Sequence, residues 1–265
     1  MTRRGFRQIA SLPASPGGAE LVEVEVAGAS YQVPASVLSG FSYRRQTALQ
    51  LTLSQPVGAN AFTDDTGKVV TVSGGVVGVA DAGVPGGLCA SFPAGGRISI
   101  ATSLDFQMAA VMFGVEGWFK TTQVGQQYST LFERDNGSFT DGSYALLFNV
   151  DSANDGKLAF YHSDFTAPAA KTTIGGYNDG VRHHVYAGRM GQAWEIWVDG
   201  VRASLSTIVS VSMSVAGNNA PILLGNSVYA SRGYVGRMDN WRMVRGVLPY
   251  TVSPFTVPVP PFPTV

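Results

Sequence analysis

Between Gly180 and Val201 the sequence GVRHHVYAGRMGQAWEIWVDGV changes polarity with the two-residue period of paired strands. His184 to Ala187 is short, apolar and β-prone, and Arg189-Met190-Gly191-Gln192 supplies a turn in which Gly191 is free to take positive φ. Ala193 to Val198 then places Trp194, Ile196 and Val198 on one face and Glu195 and Trp197 on the other. Asp199-Gly200 suits a primed hairpin turn. A strand pair with one aliphatic face needs a second sheet to cover it, so the stretch predicts the centre of a β-sandwich.

The rest of the chain repeats the pattern in shorter units. Strands are predicted at Lys68 to Ser73, Gly87 to Phe92, Arg97 to Ile100, Val111 to Lys120, Ser129 to Arg134 and Tyr144 to Val150. Others are predicted at Lys157 to Ser163, Val181 to Gly188, Ile222 to Leu224 and Tyr234 to Val244. A spacing near ten residues with Gly, Asp and Asn between strands marks an antiparallel sandwich or jelly roll. Ser103 to Met108 is the one short helical candidate in this region. The first 46 residues read differently: an extended lead-in, then Glu20 to Val26 alternating Val with Glu, a turn at Gly28-Ala29-Ser30, a return strand Tyr31 to Val33, and one helical turn from Ala35 to Ser39 opened by Pro34. A lone hairpin of this size is too small to be stable by itself. The expected organisation is a module over 1–46, a linker strand over 47–62, a sandwich over 63–251 and an extended Pro-rich tail over 252–265 that runs along a surface.

Composition narrows the chemistry. Charged residues are 14% of the 265, with 32 glycines and 14 prolines, as an all-β protein with many turns requires. Eighteen basic residues balance eighteen acidic ones, which argues against nucleic acid as a partner. The longest apolar run, Ala109 to Val115, is too short to span a bilayer, so membrane insertion is not expected. Cys89 is the only cysteine, which excludes an internal disulfide and reads as a small buried hydrophobe. The amino terminus lacks the apolar core of a signal peptide, so synthesis and folding are expected in the cytoplasm.

Catalytic groupings are not legible. Glycosidases need two carboxyl groups about 5 to 10 Å apart, whereas Glu195 and Asp199 are separated by about 13 Å of strand. Glu23 and Glu25 have suitable spacing but lie outside the sandwich, and no further interleaved acidic pair stands out. His183 and His184 are adjacent and point to opposite faces; His162 is alone. No enzyme activity is therefore expected. Aromatic rings near strand ends are the candidates for stacking on sugars: Tyr128, Tyr144, Tyr161, Tyr177, Tyr229 and Tyr234. Trp118, Trp194 and Trp241 read as core, and Trp197 reads either as an exposed platform or as a subunit contact.

His183-His184-Val185, a turn and Ile196-Trp197-Val198-Asp199-Gly200-Val201 resemble the signature hairpin of the laminin-G-like, concanavalin-A-like lectin sandwiches. Val115-Glu116-Gly117-Trp118-Phe119, Ile222-Leu223-Leu224-Gly225 and Gly236-Arg237-Met238-Asp239-Asn240-Trp241-Arg242 resemble further strands of that family, in the same order. Val247-Leu248-Pro249-Tyr250-Thr251 with Phe255 and Pro258 is similar to the tail of bacteriophage copies. The family's Trp before the His pair is Arg182 here. Residues 9–38 are similar to N-terminal modules of phage fibre and virion appendage proteins.

The resemblance implies an all-β, antiparallel, concanavalin-A-like jelly roll in a non-enzymatic bacteriophage virion protein, either a tail fibre or a capsid or tail decoration protein. Such a protein is made in the host cytoplasm and resides in the virion. Its N-terminal module would bind other virion proteins and form a homotrimer, and its sandwich would meet host-surface glycans. The alternative is a free carbohydrate-binding lectin module, monomeric and not tied to a particle. The family also implies calcium at a rim as the one candidate cofactor. The candidate ligands are Asp135, Asn136 and Asp141 in one loop and Asp151, Asn154 and Asp155 in another, although hairpin loops use the same residue types.

Overall fold

The computed structural model describes residues 21–26, 29–34, 47–107, 112–138, 142–162, 167–190, 193–208, 219–229, 231–246, 250, 254–259 and 262. In chain order its strands are β1 (Leu21–Val26), β2 (Ala29–Pro34), β3 (Thr47–Thr52), β4 (Thr63–Asp64), β5 (Val70–Ser73), β6 (Val77–Ala80), β7 (Leu88–Phe92) and β8 (Arg97–Ile100). There follow β9 (Phe113–Lys120), β10 (Ser129–Arg134), β11 (Tyr144–Phe148), β12 (Leu158–His162), β13 (Ala170–Thr172), β14 (Arg182–Met190) and β15 (Ala193–Val198). The last are β16 (Val201–Arg202), β17 (Leu205–Ile208), β18 (Ile222–Leu224) and β19 (Gly236–Arg245). The helical candidate at 103–108 is a single 3-10 turn, Leu104–Phe106, whose first turn is capped by the Ser103 side chain.

The chain divides into two compact units, Met1–Gln46 and Thr47–Val265. In the first, β1 and β2 form an antiparallel hairpin with Val22 opposite Val33 and Val24 opposite Tyr31. Ala29 and Ser30 pair with Val26 and Glu25 and belong to the returning strand, not to the turn. The helical turn expected at 35–39 lies outside the described residues.

The second unit is a sandwich of two antiparallel sheets. One has eight strands in the order β17-β13-β12-β11-β10-β18-β8-β5. The other has nine, ordered β16-β15-β14-β9-β19-β3-β4, with β7 also on β19 and β6 on β7. Strand β19 changes partner along its length. Gly236 to Met238 pairs with β7 and Trp241 to Val244 with β3, across an irregularity at Asn240, which has φ 42. The linker reading of 47–62 is thereby corrected. Ala48 to Leu51 are buried inside a sheet, because β19 needs a partner once β7 ends.

Alternation decides what faces inward. Trp194, Ile196 and Val198 enter the core as predicted, with Trp194 stacked on Phe160 at 5.0 Å. Trp241 also enters, stacked on Phe132 at 5.9 Å. Trp118 does not. It lies on the outer face of the nine-stranded sheet, buried beneath Phe262 and the guanidinium of Arg182. Arg182, in the family's Trp position, is thus an outer-face residue, and no core contact is missing.

The C-terminal segment covers that same outer face. The Phe255 N–H donates to the Gly200 carbonyl (2.9 Å), and its ring stacks on Tyr250 (3.6 Å) and leans on Trp197 (5.4 Å). Gln50 donates to the Phe262 carbonyl. Beneath this cover Glu116 is buried and accepts from Arg242 Nε (2.6 Å) and the Tyr250 hydroxyl (2.7 Å), and its Oε2 lies 3.1 Å from His184 Nε2.

His183 points the other way, as its neighbour's opposite parity requires. Its Nδ1 lies 2.7 Å from Asp199 and its Nε2 3.2 Å from Asp179. Burial opposes charging the ring, but the Asp199 carboxylate and then Asp179 outweigh it, and the net shift is upward from 6.5. A raised folded value stabilises fully below pH 6.5 and is lost as pH rises through it. The expected result is a melting temperature that falls from pH 6 to pH 9 in the native protein, and falls less in His183→Gln. Identical pH slopes would show that the bracket contributes nothing.

Candidate functional site

The outer face of the eight-stranded sheet carries a second apolar cluster. Ala145 and Leu147 from β11 and Ala159 and Tyr161 from β12 point outward with Val150, and Tyr128 and Tyr229 rest on them. Tyr128 meets Tyr161 edge-on at 6.4 Å. The Arg232 guanidinium lies over both remaining rings, 4.6 Å from the centre of Tyr229 and 5.8 Å from that of Tyr128. Cation–π contacts of this kind hold long side chains in fixed orientations. The result is a partly exposed platform of tyrosine rings around one cation.

Loop chemistry aims the rings. Tyr128 has φ 58, a left-handed conformation that costs an aromatic residue about 1–2 kcal/mol. The buried Asn149 holds it there. Asn149 itself has φ 57, its carbonyl accepts from the Tyr128 N–H (3.0 Å), and its Nδ2 donates to the Gln123 and Gln126 carbonyls. From the other side, the Thr130 N–H donates to the Arg232 carbonyl (2.9 Å), and Gln126 donates to the Ser231 carbonyl. Two loops are thereby tied together under the platform.

The predicted aromatic residues separate into those the fold gathers and those it does not. Tyr128, Tyr161 and Tyr229 come together. Burial pushes the Tyr161 hydroxyl up to about 12; burial and then the Asp135 carboxylate do the same for Tyr229. Tyr144 is a correction: it is fully buried in the core and stacks between Phe132 and Phe160. Tyr234 is likewise fully buried, donating to the Lys120 and Arg237 carbonyls. Trp197 is neither of its two predicted states, since Phe255 of the same chain covers it and its Nε1 donates to Glu195. Tyr177 stands edge-on to His183 at 5.2 Å, against the main core.

Two groups escaped the sequence reading. Arg232 lies in a loop with no periodic signal. Glu133 and Asp135 are two residues apart at β10 on the outward parity, the interleaved acidic spacing that was read as absent. Neither carboxyl is open to a substrate. Both residues are 0% exposed; Glu133 accepts from Ser227 (2.7 Å) and the Val228 N–H, and Asp135 accepts from Ser143 (2.8 Å) and Gly137. Burial holds Glu133 above the ordinary glutamate range despite those bonds.

The described calcium candidates are engaged within the chain. Both Asp151 oxygens are engaged by ammonium groups, Lys157 at 2.8 Å and Lys171 at 2.6 Å, which hold its carboxyl below the usual aspartate range. Asp155 accepts backbone N–H groups from residues 151, 152 and 157, and Asn154 accepts from Gly125. Asn136 accepts from Ser138 within its own turn. These are hairpin-loop roles, with the acceptor oxygens already used. Asp141 lies outside the described residues. Among the described residues no three His, Cys, Asp or Glu side chains are grouped to hold one ion.

Two antiparallel sheets packed face to face define a concanavalin-A-like sandwich. Residues 94–250, more than half of the chain, match the family model described as the concanavalin A-like lectin/glucanases superfamily, and the protein belongs to that family. A search of curated proteins finds no match. Among solved structures the chain is similar to domain 4 of AbnA, an extracellular arabinanase from Geobacillus stearothermophilus, in complex with arabinotriose. The TM-score is 0.52 at 15% identity, covering 76% of this chain and 93% of that one. It is also similar to the binding domain of Paraclostridial Mosquitocidal Protein 1, with TM-score 0.55, 13% identity and 77% and 50% of the two chains covered. The binding domain of botulinum neurotoxin DC in complex with SialylT gives TM-score 0.50 at 10% identity, covering 76% and 47%. This chain therefore spans about half the length of the toxin domains. At these identities the likeness is one of fold.

Proposed function

We propose that the protein is a non-enzymatic, glycan-binding structural component of a bacteriophage virion, a fibre or decoration protein that presents its lectin-type sandwich to the host surface. The observation that carries the binding reading is the platform of Tyr128, Tyr161 and Tyr229 around Arg232, with Tyr128 held in a strained backbone state. The half-buried rings of Tyr128 and Tyr229 beside a cation suit the apolar face and hydroxyl rim of a pyranose. Structural relatives solved with arabinotriose and with SialylT support saccharides as the ligand class.

The virion setting rests on the phage-type motifs at both ends of the chain. An N-terminal unit whose described residues form one hairpin adds to it, because so small a hairpin gains stability from identical copies. Light scattering on the full-length chain is expected to give a trimer, and a monomer would overturn that part of the reading. For the platform, the expected result on a glycan array is saturable binding to intact protein, insensitive to chelator. Tyr229→Ala should weaken it at least about fivefold, near 1 kcal/mol. Unchanged binding in Tyr229→Ala and Tyr128→Ala would place recognition elsewhere.

A further inference from the structure

The opposite sheet carries a second feature that the tyrosine platform does not use. Strands β19, β9 and β14 lie side by side, and their register sets Arg237 against Lys120 and Lys120 against Arg182. Three cations thus stand in one row across three neighbouring strands. Like charges directly opposite each other destabilise a sheet unless something compensates them.

Compensation within the chain is incomplete. Asp81 takes Lys120 at 3.4 Å and Arg237 at 2.6 Å on the same Oδ2, and Asp239 takes Arg182 at 2.8 Å. Two carboxylates against three cations leave one positive charge over. Burial also holds the Asp239 carboxyl above the usual aspartate range, in spite of hydrogen bonds from Asn240, Ser54 and Arg182. All five charged groups line one cleft that also holds Trp118, on which Arg182 stacks at 4.9 Å. Arg182 Nε is buried there without a hydrogen-bond partner. The cleft is half open to solvent and its interior admits one water-sized oxygen, so a solvated group at the mouth can reach Arg182 Nε through a single oxygen.

We propose that this cleft is a second binding site, selective for a small oxyanion: a phosphate, sulfate or carboxylate group, free or carried on a saccharide. The anion supplies the missing negative charge of the row and an acceptor for Arg182 Nε. Charge-assisted bonds to guanidinium and ammonium groups give such a site its affinity. The site is on the other sheet from the tyrosine platform and does not depend on it.

The test is titration of the full-length protein with sodium phosphate, sulfate and acetate at constant ionic strength, followed by calorimetry and by amide shifts of Asp81, Cys89, Arg182 and Met238. Saturable shifts confined to these residues are expected. Lys120→Gln, which leaves the Arg182–Asp239 pair intact, and Arg182→Gln should each weaken binding at least tenfold. Glucuronate compared with acetate and glucose then assigns the source: tighter binding of glucuronate identifies a sugar acid, and equality with acetate identifies the free anion. Shifts no larger than those from sodium chloride, or saturation unchanged in a well-folded Lys120→Gln protein, would overturn the proposal.

Discussion

Glu116→Ala is expected to destabilise the sandwich by about 3–5 kcal/mol, measured as a fall in the urea midpoint at pH 7. The carboxylate is 1% exposed, and its oxygens take Arg242, His184 and Tyr250. Burial opposes its ionisation, but the Arg242 charge and the bonds from His184 and Tyr250 prevail and keep it below the usual glutamate range. Removing it takes a 2.6 Å carboxylate contact from the Arg242 guanidinium, which is 7% exposed and lies under Phe262. Breaking a buried pair costs more than the pair is worth, because one charge is stranded. Glu116→Gln, which keeps shape and acceptor but not charge, should fall between. A loss below about 1 kcal/mol for Glu116→Ala would mean that water reaches Arg242 and the C-terminal cover is loose.

Trp241→Ala should cost a similar 3–5 kcal/mol, as large buried aromatics do. It has a specific partner in Gly117. A Cβ on Gly117 would lie 2.4 Å from Trp241 Cδ2, so the glycine is the socket for the indole and Gly117→Ala alone should cost about 1–3 kcal/mol by overpacking. With Trp241 already replaced by alanine, the extra methyl has space and its cost should vanish. Denaturant melts of the two single variants and the double variant close the cycle. Additive losses would show that the two positions do not constrain each other.

The same triplet shows how much of the fold a sequence can express. Glu116-Gly117-Trp118 resembles a family motif, and its three residues serve an outer-face ion network, a core socket and the lining of a cleft. The strand was legible; those roles required register. Strands β10, β15 and β18 were read with their observed bounds, because long or aliphatic runs ended at turn residues. Strands β6, β13 and β17 carry no clear signal, because Gly78, Lys171 and Ser206-Thr207 break their short apolar runs. Tyr144 was misplaced for a related reason. Both faces of β11 are apolar, Tyr144, Leu146 and Phe148 on one and Ala145 and Leu147 on the other, so polarity gave no clue to which face was inner. The positive φ of Tyr128 depends on Asn149, and the place of Arg232 on Thr130 and Gln126, contacts between loops that no local pattern announces.

The pairing of Gln50 with Arg242 has a kinetic consequence. Strand β3 is among the first parts of the sandwich to leave the ribosome and β19 among the last. Until β19 arrives, the apolar faces of β3 and β9 have no neighbour between them, and such non-local closure makes folding slow. The sandwich should therefore close only once β19 has emerged. In that interval the strand edges awaiting β19 are open to the β19 of a nearby copy, so crowded nascent chains risk exchanging this strand before each closes on its own.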